Sequence, residues 1–234
     1  MITREEIIER YQIYRDPLFL HSIVASDKCV IPLYHGTDRR ILSKSLEERQ
    51  ELRRACDVLI EFYSPVVREY TSTHKYKDNP IPLMYRLMDC DSVAYCKLSN
   101  SKLYEYDATY LTGDLSKAIR YARRAMIYGE LGYVVSTFIL ATKEFGLALP
   151  LMNEEQKKAY ELITQYMKEP SQPVVLVFQN IDKSLMKYDD NIDVNWVNVQ
   201  SMGEYAPDND VYGISYSFRV SELDFSKAIE VIEV

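Results

Sequence analysis

The run Pro173-Val174-Val175-Leu176-Val177-Phe178 constrains the fold more than any other stretch. β-Branched and aromatic residues follow one another with a proline at the mouth, which is the pattern of a strand. A sheet is therefore required, and the rest of the chain must cover it. Much of that cover reads as helix. Over 46–63, Leu52, Ala55, Cys56, Leu59, Ile60 and Tyr63 fall on one face at i, i+3, i+4 spacing, with Glu47, Glu48, Arg49, Arg53 and Arg54 mostly on the other. Pro65 implies a break or kink just beyond. Further helices are expected over 5–14 behind the N-cap Thr3, over 115–126 behind Asp114, and over 154–167 behind Asn153, the last stopped by Pro170.

Shorter elements fill the intervals. A short apolar element spans 19–24, brief helices are expected at 41–45 and 83–89, and 70–82 reads as a polar loop. The apolar run 133–145 fits a buried helix by length and a strand by its Val134, Val135, Thr137 and Ile139. Strands are expected at 30–34, 93–98, 102–106, 108–111, 194–199, 211–220 and 228–234. Helices come first and in the middle, and strands gather toward the ends. That distribution predicts an α+β fold with a mixed or mostly antiparallel sheet.

With 234 residues the chain suits one domain, with room for an elaborated insertion. A net charge of −7 argues against a general nucleic-acid binder, which needs surplus Lys and Arg to neutralise phosphates. Cys29, Cys56, Cys90 and Cys96 lack ligand spacing, so free thiols and no metal site are expected. The charged N-terminal segment has no signal-peptide pattern, and no apolar run reaches the ~20 residues of a membrane span. A cytoplasmic protein without a membrane partner is the expectation. Twenty tyrosines against one tryptophan favour sheet surfaces and cleft walls.

Two landmarks carry chemistry. The first is Ile31-Pro32-Leu33-Tyr34-His35-Gly36-Thr37, read as a short strand that stops in a His-Gly-Thr turn and holds one of only three histidines. The second is Tyr110-Leu111-Thr112-Gly113-Asp114-Leu115-Ser116-Lys117-Ala118-Ile119-Arg120-Tyr121-Ala122, a strand running through glycine into a helix. In this order, with His35 and Tyr110 separated by 75 positions, they resemble the ADP-ribosyltransferase superfamily, in its diphtheria-toxin and poly(ADP-ribose) polymerase branch with a His-Tyr-Glu triad.

The resemblance implies a single domain over 1–234 with an ADP-ribosyltransferase-like split sheet, an N-terminal helix at about 3–14 and a helical insertion at about 46–89. It implies NAD as co-substrate, transfer of ADP-ribose to a protein or nucleic-acid acceptor, and release of nicotinamide. His35 would bond ribose hydroxyls, the Gly36 backbone would meet the carboxamide, and Thr37 would add a hydroxyl. Tyr110 would stack on the nicotinamide, with Tyr121 or Tyr34 as further wall. The family's glutamate stabilises positive charge developing on the ribose and lies on a late strand. Glu204 is the first candidate and Glu222 the second. If the last strands align differently, the slot falls near Ser217 and holds no carboxylate. In that case a non-catalytic NAD- or ADP-ribose-binding module, or a protein-interaction module, is the alternative. Removal of an RNA 2′-phosphate is a third reading, against which the acidic charge and the absence of a clear arginine set count.

Overall fold

The computed structural model describes residues 2–74, 82–99, 108–124, 129–188, 192–204, 216–221 and 223–234. In chain order these form α1 (Arg4–Tyr11), a 3-10 turn (Gln12–Arg15), α2 (Pro17–Ala25), β1 (Lys28–Cys29), β2 (Leu33–Asp38), α3 (Arg39–Leu42) and α4 (Leu46–Thr73). Then come α5 (Pro82–Leu98), β3 (Ala108–Thr112), α6 (Leu115–Arg124), α7 (Gly129–Glu144) and α8 (Glu154–Lys168). The chain ends in β4 (Pro173–Phe178), β5 (Ile181–Asp182), β6 (Met186–Tyr188), α9 (Trp196–Glu204), β7 (Ser217–Ser221) and β8 (Glu230–Glu233). The α+β class is as expected, and the chain divides into two compact units.

One unit, Met1–Thr37, Glu105–Arg123 and Pro173–Val234, carries the sheets. Its six-stranded sheet runs β6-β7-β3-β2-β4-β8, and β1 and β5 form a separate pair. The pairings β2 with β3, β3 with β7, β6 with β7 and β4 with β8 are antiparallel. Strand 173–178 is found as expected, with 174–178 buried throughout. On the β7 side, Phe218 stacks on Trp196 of α9 and on Tyr188 of β6.

The other unit, Asp38–Tyr104 and Arg124–Gln172, is helical. It takes in the 46–89 segment and α7 and α8 as well. In it α4 packs on α5, α7 and α8, and α5 packs on α7. A capping box at Ser45 and Glu48 starts α4, which then continues unbroken past Pro65. The expected break does not occur. Leu52, Leu59, Ile60 and Val67 are buried on both sides of the proline. At about 1.5–3 kcal/mol per fully buried side chain, their burial outweighs the ~3 kcal/mol of an interior proline.

Two expected strands are helices instead. Residues 93–98 belong to α5, where Met84, Leu87, Cys90 and Ala94 are buried at helical spacing and Pro82 takes the first turn. Residues 194–199 open α9: the Asn195 side chain accepts from the N–H of Val197 and Asn198, an N-cap, and Val199 and Gly203 are buried four apart. The run 133–145 is helix α7, as length argued. The expected strand at 102–106 and the first part of 211–220 lie outside the described residues.

Within the helical unit, Asp38 gathers a cluster of polar groups. Its Oδ1 accepts from the Arg40 backbone N–H at 2.9 Å and from Arg40 Nε at 2.8 Å. Its Oδ2 accepts from Arg40 Nη2 and Ser171 Oγ at 2.9 Å and from the Gln172 N–H at 3.1 Å. Arg40 Nη1 in turn donates to the carbonyls of Tyr166 and Glu169, capping the end of α8. Burial pushes the Asp38 carboxyl up, but the bonds from Arg40, Ser171 and Gln172 outweigh it and hold the group below its ordinary value. A lowered carboxyl pKa contributes stability that is present above the unfolded pKa and lost as pH falls through the folded one. Replacing Asp38 with Asn removes the negative charge from the buried pair with Arg40, so Asp38→Asn should destabilise by about 3–5 kcal/mol at pH 7 in urea unfolding. The difference from the parent should close as pH falls below the ordinary carboxyl value of 3.8.

Candidate functional site

Strand β2 does not stop at His-Gly-Thr. It continues to Asp38 with the histidine, glycine and threonine inside it. The glycine is there for packing rather than for a turn. A Cβ on Gly36 would run into the backbone of α6, overlapping the Ala118 carbonyl oxygen and lying 2.6 Å from the Ala122 nitrogen. Helix α6 thus lies directly on the strand, which only glycine permits.

The start of α6 is fixed in turn by the N-terminal segment. The Asp114 side chain accepts from the Lys117 N–H at 3.0 Å, the cap expected there. The Tyr11 hydroxyl donates to Asp114 Oδ1 at 3.2 Å and accepts from the Leu115 N–H at 2.6 Å. The fully buried Tyr14 hydroxyl lies 3.3 Å from the carbonyls of both Pro32 and Gly113, tying the approach to β2 to the end of β3. Burial raises both tyrosines, so the hydroxyls stay protonated and able to donate.

His35 and Tyr110 come together on adjacent strands. Tyr34 pairs with Thr112 across β2 and β3. Next along, His35 Nδ1 lies 2.9 Å from the Tyr110 carbonyl oxygen. A carbonyl only accepts, so Nδ1 carries the proton and Nε2 is left as an acceptor. Burial lowers the His35 pKa, more than the bond to Tyr110 raises it, so the ring is neutral at pH 7. Phe225 packs on it at 5.2 Å between ring centroids. Because side chains alternate along a strand, His35 points away from the α6 side that Gly36 faces. Its contact is with the backbone of Tyr110, and the Tyr110 ring lies elsewhere.

That ring sits with the late strand β7. Tyr110 pairs with Arg219 and Thr112 with Ser217, which places all four on one face of the sheet. The Arg219 guanidinium, in a side chain buried within the sheet, lies 5.8 Å over the Tyr110 ring. From α6, Lys117 Nζ donates to Ser217 Oγ at 2.5 Å. The Tyr110 hydroxyl is buried and has no hydrogen-bond partner among the described residues. Thr37 is buried, while Tyr121 is exposed on α6 beside the Ala122 that meets Gly36.

Glu204 does not join this group. It is exposed in the last turn of α9, where its Oε1 accepts from Gln200 Nε2 at 3.1 Å. Gly203, just before it, packs close against Leu20 of α2. Glu222 lies outside the described residues. Ser217 holds the position beside the Tyr110 strand. Lys117 and Arg219 were missed as site residues. The signal for Arg219 was an arginine alternating with Phe218 and Val220 in Ser217-Phe218-Arg219-Val220, which puts it on the face opposite the apolar one.

A separate cleft of about 560 Å³ is lined by Ile2, Glu6, Glu9, Arg10, Glu230, Ile232 and Glu233. Its Arg10 is already paired with Glu230 at 2.6 Å, so the lining is acidic and the wrong sign for a pyrophosphate. Among the described residues, no helix is long and apolar enough to cross a membrane. No protein-family model, curated protein or solved structure matches the chain.

The His35 tautomer can be observed directly. Nitrogen-detected NMR of the imidazole should show Nδ1–H at pH 7, with protonation only below the ordinary value of 6.5. A ring that titrates at or above that value, or carries its proton on Nε2, would contradict this geometry.

Proposed function

We propose that the chain is an ADP-ribosyltransferase-like protein that binds NAD or ADP-ribose along β2, β3 and β7, without glutamate-assisted transfer. The observation that carries this reading is the Lys117–Ser217 hydrogen bond beside Tyr110. The resemblance calls for a late strand next to the tyrosine strand, bearing a carboxylate. Strand β7 is such a strand, and at that place it offers a hydroxyl held by an ammonium. Breaking the nicotinamide–ribose bond develops positive charge on the ribose, which an anion stabilises and an ammonium opposes. The sheet order, with the histidine strand central and the tyrosine strand between it and β7, supports a split-sheet ADP-ribosyltransferase-like fold.

Transfer to a protein or nucleic-acid acceptor is the second reading, favoured by the ordered pair of motifs 75 positions apart. Calorimetry with NAD and ADP-ribose, together with a nicotinamide-release assay, separates the two. The first reading predicts binding that Ser217→Ala weakens about tenfold, roughly 1.4 kcal/mol, and no nicotinamide release. Nicotinamide release accompanied by ADP-ribose attached to a protein or nucleic-acid acceptor would establish transfer instead. Absence of binding by both nucleotides would remove the site.

A further inference from the structure

Resting on that nucleotide-binding reading, we infer that Tyr11 is a positioning residue of the site, setting nucleotide affinity through Asp114 and Lys117. Its hydroxyl stands at the cap of α6 and makes two bonds there. It donates to Asp114 Oδ1 at 3.2 Å and accepts from the Leu115 N–H at 2.6 Å, a first-turn N–H that has no partner inside the helix. The same Oδ1 accepts from the Lys117 N–H at 3.0 Å, so Tyr11 and the Lys117 backbone share one oxygen. Asp114 also donates its own N–H to Thr112 Oγ1 at 3.1 Å, which ties the cap to β3. Thr112 pairs with Ser217, and Lys117 Nζ donates to Ser217 Oγ at 2.5 Å. A closed circuit results, running from Asp114 through Lys117 and Ser217 to Thr112 and back, and Tyr11 holds its corner.

The contact of Gly36 with Ala118 and Ala122 sets the depth of α6 on the sheet. A helix held at fixed depth can still turn about its axis or slide along it, and the cap decides both. Tyr11 is buried, so Tyr11→Phe leaves Asp114 short of a donor and the Leu115 N–H short of an acceptor. Burial, helped by the Asp114 charge, raises the Tyr11 pKa, so the hydroxyl remains a donor at neutral pH. Lys117, three residues past the cap, then loses the setting that aims its ammonium at Ser217. Arg10, the neighbour of Tyr11 on α1, is anchored elsewhere, in a pair with Glu230 on β8. Anchoring of α1 and positioning of the site are therefore separable by mutation.

The test measures dissociation constants for ADP-ribose on the full chain, with nitrogen-15 NMR of the lysine ammonium groups on the same samples and thermal melting to follow the fold. Tyr11→Phe keeps the packed ring and should weaken binding about fivefold. The Lys117 ammonium signal, identified by its absence from Lys117→Gln, should at the same time lose the shift and exchange protection that its bond to Ser217 gives. In the Lys117→Gln background, Tyr11→Phe should change affinity by less than about twofold, because the residue it acts through is gone. Arg10→Gln should change neither affinity nor the Lys117 signal. A parent chain that binds ADP-ribose, with affinity and Lys117 signal unmoved by Tyr11→Phe, would overturn the inference while leaving the nucleotide site standing. So would additive losses in the double variant, or a loss in Arg10→Gln as large as that in Tyr11→Phe. Absence of ADP-ribose binding by the parent would overturn the proposed function, and the inference with it.

Discussion

The close crossing of α6 over Gly36 is the constraint on which the site depends. A helix whose backbone rests on a strand, with no side chain between them, is fixed in depth to within a fraction of an ångström. The N-terminal tyrosines then fix its start, Tyr11 at the cap and Tyr14 between the entry to β2 and the end of β3. With depth and start both set, the side chains of α6 have little freedom in where they fall. Lys117 reaches Ser217 on β7, two strands away from Gly36. One glycine thereby ties the histidine strand, the tyrosine strand and the late strand into a single arrangement.

The chemistry follows from what stands on the Tyr110 face. An ammonium, a guanidinium and two hydroxyls hold anions and sugars well and stabilise a developing cation poorly. His35 stands on the opposite face and meets this strand only through the Tyr110 carbonyl. On the proposed reading, these groups hold a nucleotide rather than cleave it. The acidic cleft around Arg10 has the opposite character, which separates it from the nucleotide reading.

What the sequence revealed, and what it hid, divides along physical lines. Local signals read well: the caps Thr3, Asp114 and Asn153, and the apolar strand 173–178, all stand where the pattern put them. The failures came where local propensity and tertiary contact disagree. Val93 and Val194–Val197-type residues suggested strands, yet burial at helical spacing won in α5 and α9. Pro65 suggested a break, and three packed helices overrode it. Gly36 was singled out as a place where the backbone bends or comes close to something, and what comes close is α6, because a helix crossing leaves no local trace of its own. Glu204 was chosen on a neighbouring glycine whose role is packing on Leu20. The approach of Lys117 to Ser217 and of Arg219 to Tyr110 could not be read from the sequence, because each joins residues about a hundred positions apart.

The central claim is that a nucleotide lies against β3 and β7, with Ser217 and Lys117 in place of a carboxylate. A crystal structure of the chain with ADP-ribose at saturating concentration tests it most directly. The account predicts a ribose within hydrogen-bonding distance of Ser217 Oγ and the Tyr110 hydroxyl. ADP-ribose found in the acidic cleft at Arg10, or no ligand beside Tyr110 at saturation, would contradict it.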